Sequence, residues 1–304
     1  MDKVTILMAT YNGSKYLEEQ LNSIIKQDYK NWKLIVSDDH STDETIEILQ
    51  KYEQQYPDKI ELLLNRTASG NAKRNFFKLI DKVDADYIMF CDQDDIWEPK
   101  KISYTLKYMK AKEEKETPIL IHTDLTVVDE DMNVISASFM KHQHLRPSNS
   151  LHDIVIQNSI TGCTMMINRA LLNLLKRKVN IDFIEMHDWW CGLIAAAFGK
   201  IYYIKKSTIK YRQHANNSVG AQKYGLRLFF RKKFQFYKKL KSTFIQAGEF
   251  LRIFGKDLTP NDYNLLFHYS ECVHLNKIQR IWVYIRFQTF KQGIGRKICQ
   301  LIFC

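Results

Sequence analysis

Asp92, Asp94 and Asp95 place three carboxylates within four positions, directly after the apolar and aromatic run Tyr87-Ile-Met-Phe-Cys91. Such a run has the length and composition of a strand buried on both faces. Extended or turn geometry lets Asp92 and Asp94 project to one side. Carboxylates converging at the carboxyl edge of a parallel sheet repel one another unless a cation lies between them, and hard oxygen donors favour Mg²⁺ or Mn²⁺. Asp-x-Asp alone is frequent and suits an acidic solvated turn equally well. Its position after a buried strand favours the metal site. Two further clusters carry titratable groups. His187-Asp188-Trp189-Trp190 heads an apolar helix ending at Gly199, and His214 lies within Arg212-Gln-His-Ala-Asn-Asn-Ser218.

The elements that must position these groups alternate. Residues 4–9 form a strand, Asn12-Gly13 a turn, and Tyr16, Leu17, Leu21, Ile24 and Ile25 recur at helical spacing. A second strand at 33–37 ends in Asp38-Asp39, with Ser41 or Thr42 as the cap of the next helix. A third strand spans 59–64 and a helix lies around 74–83, before the acidic strand. Strands also fall within 118–136 and at 201–204 and 208–212, and residues 142–150 are loop-like. This alternation predicts an α/β fold with a doubly wound, mostly parallel sheet and ligands at the carboxyl ends of its strands. Neither G-x-G-x-x-G nor G-x-x-x-x-G-K-[ST] occurs, so a glycine cradle for phosphate is not available.

The chain has 304 residues, 45% of them hydrophobic, and no run long enough to span a membrane. Its first residues lead straight into a strand with no secretory pattern, and its six cysteines show no C-x-x-C pair. Reduced thiols in a cytoplasm are expected, and no zinc site. The net charge of +11 is uneven. Residues 1–221 carry 29 Lys and Arg against 30 Asp and Glu, whereas residues 222–304 carry 16 against 4. Clustered cations speak to anionic partners, not to the fold.

Taken in order, Ala-Thr-Tyr-Asn-Gly at 9–13, Ser-Asp-Asp-His-Ser-Thr-Asp at 37–43, Lys-Arg-Asn at 73–75 and Cys-Asp-Gln-Asp-Asp-Ile-Trp-Glu-Pro-Lys-Lys at 91–101 carry a resemblance. Over residues 1–220 the chain resembles the inverting family 2 glycosyltransferases of GT-A fold. The Asp-Gln-Asp-Asp-Ile-Trp form resembles bacterial rhamnosyltransferases of cell-wall and capsule polysaccharide synthesis. The resemblance implies a nucleotide-diphosphate-sugar donor, L-rhamnose from dTDP-rhamnose first and a UDP-hexose next. It implies Asp94 as metal ligand, with Asp92 as a second ligand or a ribose and phosphate contact, and His214 completing the site around Mg²⁺ or Mn²⁺. Thr10 and Tyr11 are then expected at base and ribose, with Asn12 and Gln93 beside them, Asp39 at the pyrimidine N3–H and Arg74 near base or phosphates. Inversion needs one carboxylate to take the acceptor's proton, a role that falls to Asp188, with Glu185 second. Trp189 and Trp190 suit stacking on a sugar and would raise the Asp188 pKa by desolvation, although a helix cap would also explain Asp188. Gly162 is expected beneath a sugar, and Asp95 as cap of the following helix. A non-catalytic sugar-nucleotide-binding protein and a nucleotidyltransferase are the rival classes.

Residues 221–304 read as a basic helical region. Leu226, Phe230, Phe234, Tyr237, Leu240, Phe244, Ala247, Leu251 and Phe254 step by three or four along one helix. Ile278, Ile281, Trp282 and Ile285 repeat the theme beside Lys277, Arg280, Arg286, Lys291, Arg296 and Lys297, with no acid after Glu271. An anionic membrane surface fits this pattern, and a face packed on the catalytic domain or on a second copy is the other reading. Nothing resembles a nucleic-acid recognition module, so no nucleic-acid partner is expected. Together with the resemblance, the pattern implies a cytoplasmic enzyme at the inner membrane face, acting on a lipid-linked glycan.

Overall fold

The computed structural model describes residues 2–65, 67–114, 116–214 and 233–304. Its first half repeats strand and helix: β1 (Val4–Thr10), α1 (Ser14–Ile25), β2 (Trp32–Asp38), α2 (Thr45–Gln55), β3 (Ile60–Leu64), α3 (Ala72–Lys82) and β4 (Tyr87–Cys91). β1 pairs in parallel with β2 and with β4, and β2 with β3. All five residues of β4 are buried, because helices cover both faces of the sheet. The carboxyl ends of β1, β2 and β4 therefore share one edge, the usual place for a ligand crevice.

The second half departs from parallel order. It comprises β5 (Ile96–Trp97), α4 (Lys101–Lys112), β6 (Ile119–Val128), β7 (Val134–Ser136), α5 (Phe139–His142), α6 (Leu151–Ile154), β8 (Met165–Asn168), α7 (Arg169–Leu175), α8 (His187–Phe198) and β9 (Lys200–Arg212). β8 runs antiparallel between β4 and β6, β9 runs parallel to β6, and the two residues of β5 pair antiparallel with β9. The sheet is thus mixed, in the order β3-β2-β1-β4-β8-β6-β9-β5. One continuous β9, with register shifts opposite Asp124, replaces the two strands expected at 201–204 and 208–212. Two local expectations also change. The N-cap of α2 is Glu44, while the Ser41 hydroxyl turns back to Asp38. Asp95 does not cap α4, which starts at Lys101, but lies buried under the loop.

Four helices close the chain: α9 (Lys233–Phe254), α10 (Pro260–Glu271), α11 (Lys277–Phe287) and α12 (Ile294–Phe303). Residues 215–232, with the Asn-Ser end of the His214 motif and the stripe positions Leu226 and Phe230, lie outside the described residues. On α9, Leu240, Phe244, Ala247, Phe250 and Phe254 are buried to 1% or less. They belong to the same core as Trp190, Leu193 and Ile160 of the preceding region, so the core runs continuously across position 220. The apolar stripe of α9 is an internal face, not a free one.

Candidate active site

The two-residue strand β5 fixes the acidic loop. Its pairing, Ile96 with Lys210 and Trp97 with Ile209, draws Asp94 toward the end of β9, two residues beyond which lies His214. His214 Nε2 and Asp94 Oδ2 stand 2.7 Å apart, both side chains mostly buried. Arg212 organises the surroundings from a nearly inaccessible position. Its guanidinium donates to the Asp94 carbonyl at 3.0 Å, to the Glu130 carbonyl at 2.7 Å and to the Glu19 carboxylate. It also lies 4.3 Å from the centre of the Tyr16 ring, which in turn packs 5.2 Å from His214. Below, Asp95 accepts from the Arg212 backbone N–H at 3.2 Å. The Arg-x-His spacing was the available signal for this hub; Tyr16 and Glu19, one helical face of α1, carried no signal of their own.

Asp92 is partly buried, and its carboxyl is pushed up to about 7, first by burial and then by the Asp94 and Asp188 charges. An Asp92 carboxyl that the neighbouring Asp94 charge helps to raise, with the His214 nitrogen 2.7 Å from Asp94, fits a hard divalent cation. Neighbouring ligands on an octahedral Mg²⁺ with bonds of about 2.1 Å lie roughly 3 Å apart. A second cluster, Asp92, Asp95 and Cys163, brings its donor atoms within 4.8 Å of one another. It fits such a cation poorly. Burial and the Asp95 and Asp92 charges hold the Cys163 thiol protonated, and Asp95 is fully buried with its own carboxyl raised by burial.

The proposed donor residues divide. Tyr11 is 55% exposed at the rim, and its backbone N–H and carbonyl are clamped by the Gln93 side chain at 2.8 and 3.0 Å. Gly13 admits that clamp, since a Cβ there would meet Gln93 at 2.5 Å. Gln93 thereby locks the β1 and β4 loops together. Asn12, at a left-handed φ of 45°, binds the Ser41 hydroxyl through its N–H and accepts from the Thr42 N–H at 2.8 Å. Thr10 does not reach the crevice. It is 1% exposed and its hydroxyl donates to Asp38 at 2.8 Å, so it braces two strand ends. Asp39 holds the N–H and hydroxyl of Ser69 and the N–H of Gly70, ordering the loop before α3. Arg74, in the first turn of α3, pairs with Asp182.

Asp188 sits in the first turn of α8, 9% exposed, accepting from the Gly162 N–H at 3.1 Å and its neighbour Trp189 N–H at 2.6 Å. Burial pushes its carboxyl up to about 6 against the pull of those two donors. Gly162 allows this approach: a Cβ there would stand 2.8 Å from the His187 ring. His187 stacks on Phe76 and Phe90, with burial lowering its pKa to about 3. The tryptophans correct an expectation. Trp189 is 5% exposed and donates its indole N–H to the Ile154 carbonyl; Trp190 packs edge-on against Phe250 in the core. Neither offers a ring face to a sugar. Glu185 is partly buried, with its backbone N–H held by Gln246.

Comparison with known proteins agrees with this architecture. The glycosyl transferase family 2 profile matches residues 5–122. The dTDP-rhamnosyl transferase RfbG of Shigella flexneri is 34% identical over 224 residues, covering 70% of this chain and 74% of that protein. The putative teichuronic acid biosynthesis glycosyltransferase TuaG of Bacillus subtilis is 28% identical, covering 73% of this chain and 82% of that one. Among solved structures, Staphylococcus aureus TarS residues 1–349 superposes with a TM-score of 0.60 at 19% identity, over 90% of this chain and 71% of that chain. The fold is GT-A, and the chain belongs to glycosyl transferase family 2 and is a glycosyltransferase.

Proposed function

We propose that the enzyme is a metal-dependent, inverting transferase that moves L-rhamnose from dTDP-rhamnose to a lipid-linked polysaccharide acceptor at the inner face of the membrane. The observation that carries the reading is the meeting of Asp94 and His214, 2.7 Å apart at the carboxyl edge of the sheet, beside Asp92, whose carboxyl is raised by burial and by the Asp94 and Asp188 charges. Asp94, His214 and Asp92 would hold Mg²⁺ or Mn²⁺, which supplies Lewis-acid stabilisation of a departing diphosphate. Asp39 and Tyr11 line the nucleotide side, where the Gln93 clamp keeps Tyr11 in place. Thr10 and Asn12 act beneath it by fixing the loops. Arg74, with its partner Asp182 at the surface, would turn toward the donor. On the acceptor side Asp188 takes the hydroxyl proton as the new glycosidic bond forms. A carboxylate anchored by two N–H donors and made more basic by burial suits that task. Gly162 serves it by letting α8 approach.

The choice of rhamnose rests on similarity to the Shigella flexneri protein. A UDP-hexose donor is the second reading, favoured by similarity to the Escherichia coli UDP-Glc:alpha-D-GlcNAc-diphosphoundecaprenol beta-1,3-glucosyltransferase WfgD, 26% identical over 226 residues. A screen of dTDP-rhamnose, UDP-glucose, UDP-galactose and UDP-N-acetylhexosamines with Mn²⁺ or Mg²⁺, scored by nucleoside diphosphate release, separates them. Preferential release of dTDP is expected. Preference for a UDP-sugar discards rhamnose, and undiminished turnover in excess chelator discards the metal.

A further inference from the structure

The last two helices leave an apolar face without a partner among the described residues. Ile278, Trp282 and Ile285 on α11 and Ile294, Ile298 and Ile302 on α12 expose between 44% and 81% of their surface. Their spacing by three or four makes each set a single row on its helix. α11, the turn after it and α12 make a helical hairpin tied at two points: Lys277 Nζ at the start of α11 donates to the Ile302 carbonyl near the end of α12, and Gln300 of α12 donates to the Thr289 carbonyl in the turn. Both bury their opposite faces in the body, through Val283, Tyr284 and Phe287 on one and Cys299 and Phe303 on the other. On each helix the exposed row therefore lies opposite the face that packs on the body.

The charges around this face separate into two groups. Arg280, Lys291 and Arg296 turn inward and donate to the carbonyls of Cys272, Ile156 and Gln143, so they fasten the hairpin to the body. Lys277, Arg286 and Lys297 are exposed beside the apolar rows, Lys277 while also donating to the Ile302 carbonyl, and no acidic residue follows Glu271. We infer that the α11–α12 hairpin is the membrane-docking surface of this enzyme: its isoleucine and tryptophan rows enter the headgroup boundary of an anionic leaflet while Lys277, Arg286 and Lys297 meet lipid phosphates. A second copy of the chain fits less well, because two-fold pairing of this face would set the same three cations against each other with no carboxylate between them. An anionic leaflet complements both the apolar rows and their cationic border. The hairpin turn is also bolted to the segment leading toward Gly162, since Gln292 bonds both Arg146 and Gln157. Docking there would hold the acceptor side of the crevice toward the membrane, and this last step rests on the proposed lipid-linked acceptor.

Trp282 supplies the test. The other four tryptophans are exposed by 5% or less, so a change in emission on adding vesicles reports on Trp282. Full-length protein mixed with phosphatidylglycerol vesicles is expected to show a blue shift, quenched by lipids brominated on the acyl chain, and phosphatidylcholine vesicles should give much less. In co-sedimentation, the double variant Ile278→Glu/Ile285→Glu and the triple variant Lys277→Glu/Arg286→Glu/Lys297→Glu should each partition at least tenfold more weakly. Donor hydrolysis in solution should stay within a few-fold of wild type, which shows that the variants fold. Wild type that hydrolyses donor yet gives neither shift nor sedimentation overturns the docking surface and leaves the transfer reading intact. So does a shift that appears with protein concentration alone, accompanied by dimers in sedimentation. Vesicle binding without any nucleotide release sinks the transfer reading and supports the surface.

Discussion

At Asp188 two N–H donors hold the carboxylate while burial raises its proton affinity, which suits the base role proposed for it. The base works only when deprotonated, so kcat/KM should fall as pH drops through about 6. A cation held beside Asp92 favours the ionised form of both carboxyls, so that limb should move to lower pH when metal is saturating. Asp188→Asn should lower kcat by about 10²–10⁴ with little change in donor binding. Turnover within a few-fold of wild type would leave Asp188 as no more than a helix-start residue and turn attention to Glu185. At Asp94 the readout can be separated from activity. A ligand at about 100 times its Kd stabilises the folded state by about 2.7 kcal/mol, several degrees in Tm for a chain of this size. Mn²⁺ with a nucleoside diphosphate should give wild type such a shift, and Asp94→Ala should lose it while melting normally without metal. An equal shift in the variant removes Asp94 from the metal site.

Elements decide how these residues meet. β5 is two residues long, yet its pairing with β9 brings the loop after β4 to the end of a strand over a hundred residues later. Arg212 then fastens α1, the Asp94 loop and the Glu130 turn through the fork of one guanidinium. A lysine keeps the charge but cannot span three acceptors. Arg212→Lys should therefore raise the Mn²⁺ concentration for half-maximal rate about tenfold, while the rate at saturating metal stays within a few-fold. An unchanged metal requirement means that Arg212 braces only the fold. The contrast with β4 explains what was legible in the sequence. β4 reads as a buried strand because both faces are covered, and the acids after it stand out against that run. That Asp94 and His214 meet, 2.7 Å apart, was legible only through motif order. Trp189 and Trp190 were misread because a tryptophan beside a carboxylate looks the same in sequence whether it faces a sugar or the core. Only the packing of α9 against Trp190 decides between them. Thr10 misled for a similar reason: at a strand end a buried polar side chain serves a loop as readily as a ligand.

Across the whole molecule, a change in charge marks position 220, but the hydrophobic core ignores it. Leu240, Phe244, Phe250 and Phe254 of α9 are buried to 1% or less, in one cluster with Trp190, Phe90 and Ile88. Each such side chain is worth about 1.5–3 kcal/mol of burial, so the four together contribute roughly 6–12 kcal/mol. That is comparable to the whole stability of an ordinary domain, about 5–15 kcal/mol. The first of the basic C-terminal helices thus shares the core of the preceding region. A chain ending at residue 219 should not merely leave the membrane: it should aggregate or melt without a cooperative transition, because the Trp190 side of the core would face water. The milder Phe250→Ala should cost about 3–5 kcal/mol, read from the urea midpoint at unchanged m. A truncated chain that melts cooperatively and still binds nucleotide would show that residues 1–219 form a domain of their own, and the helices beyond would then be an attachment.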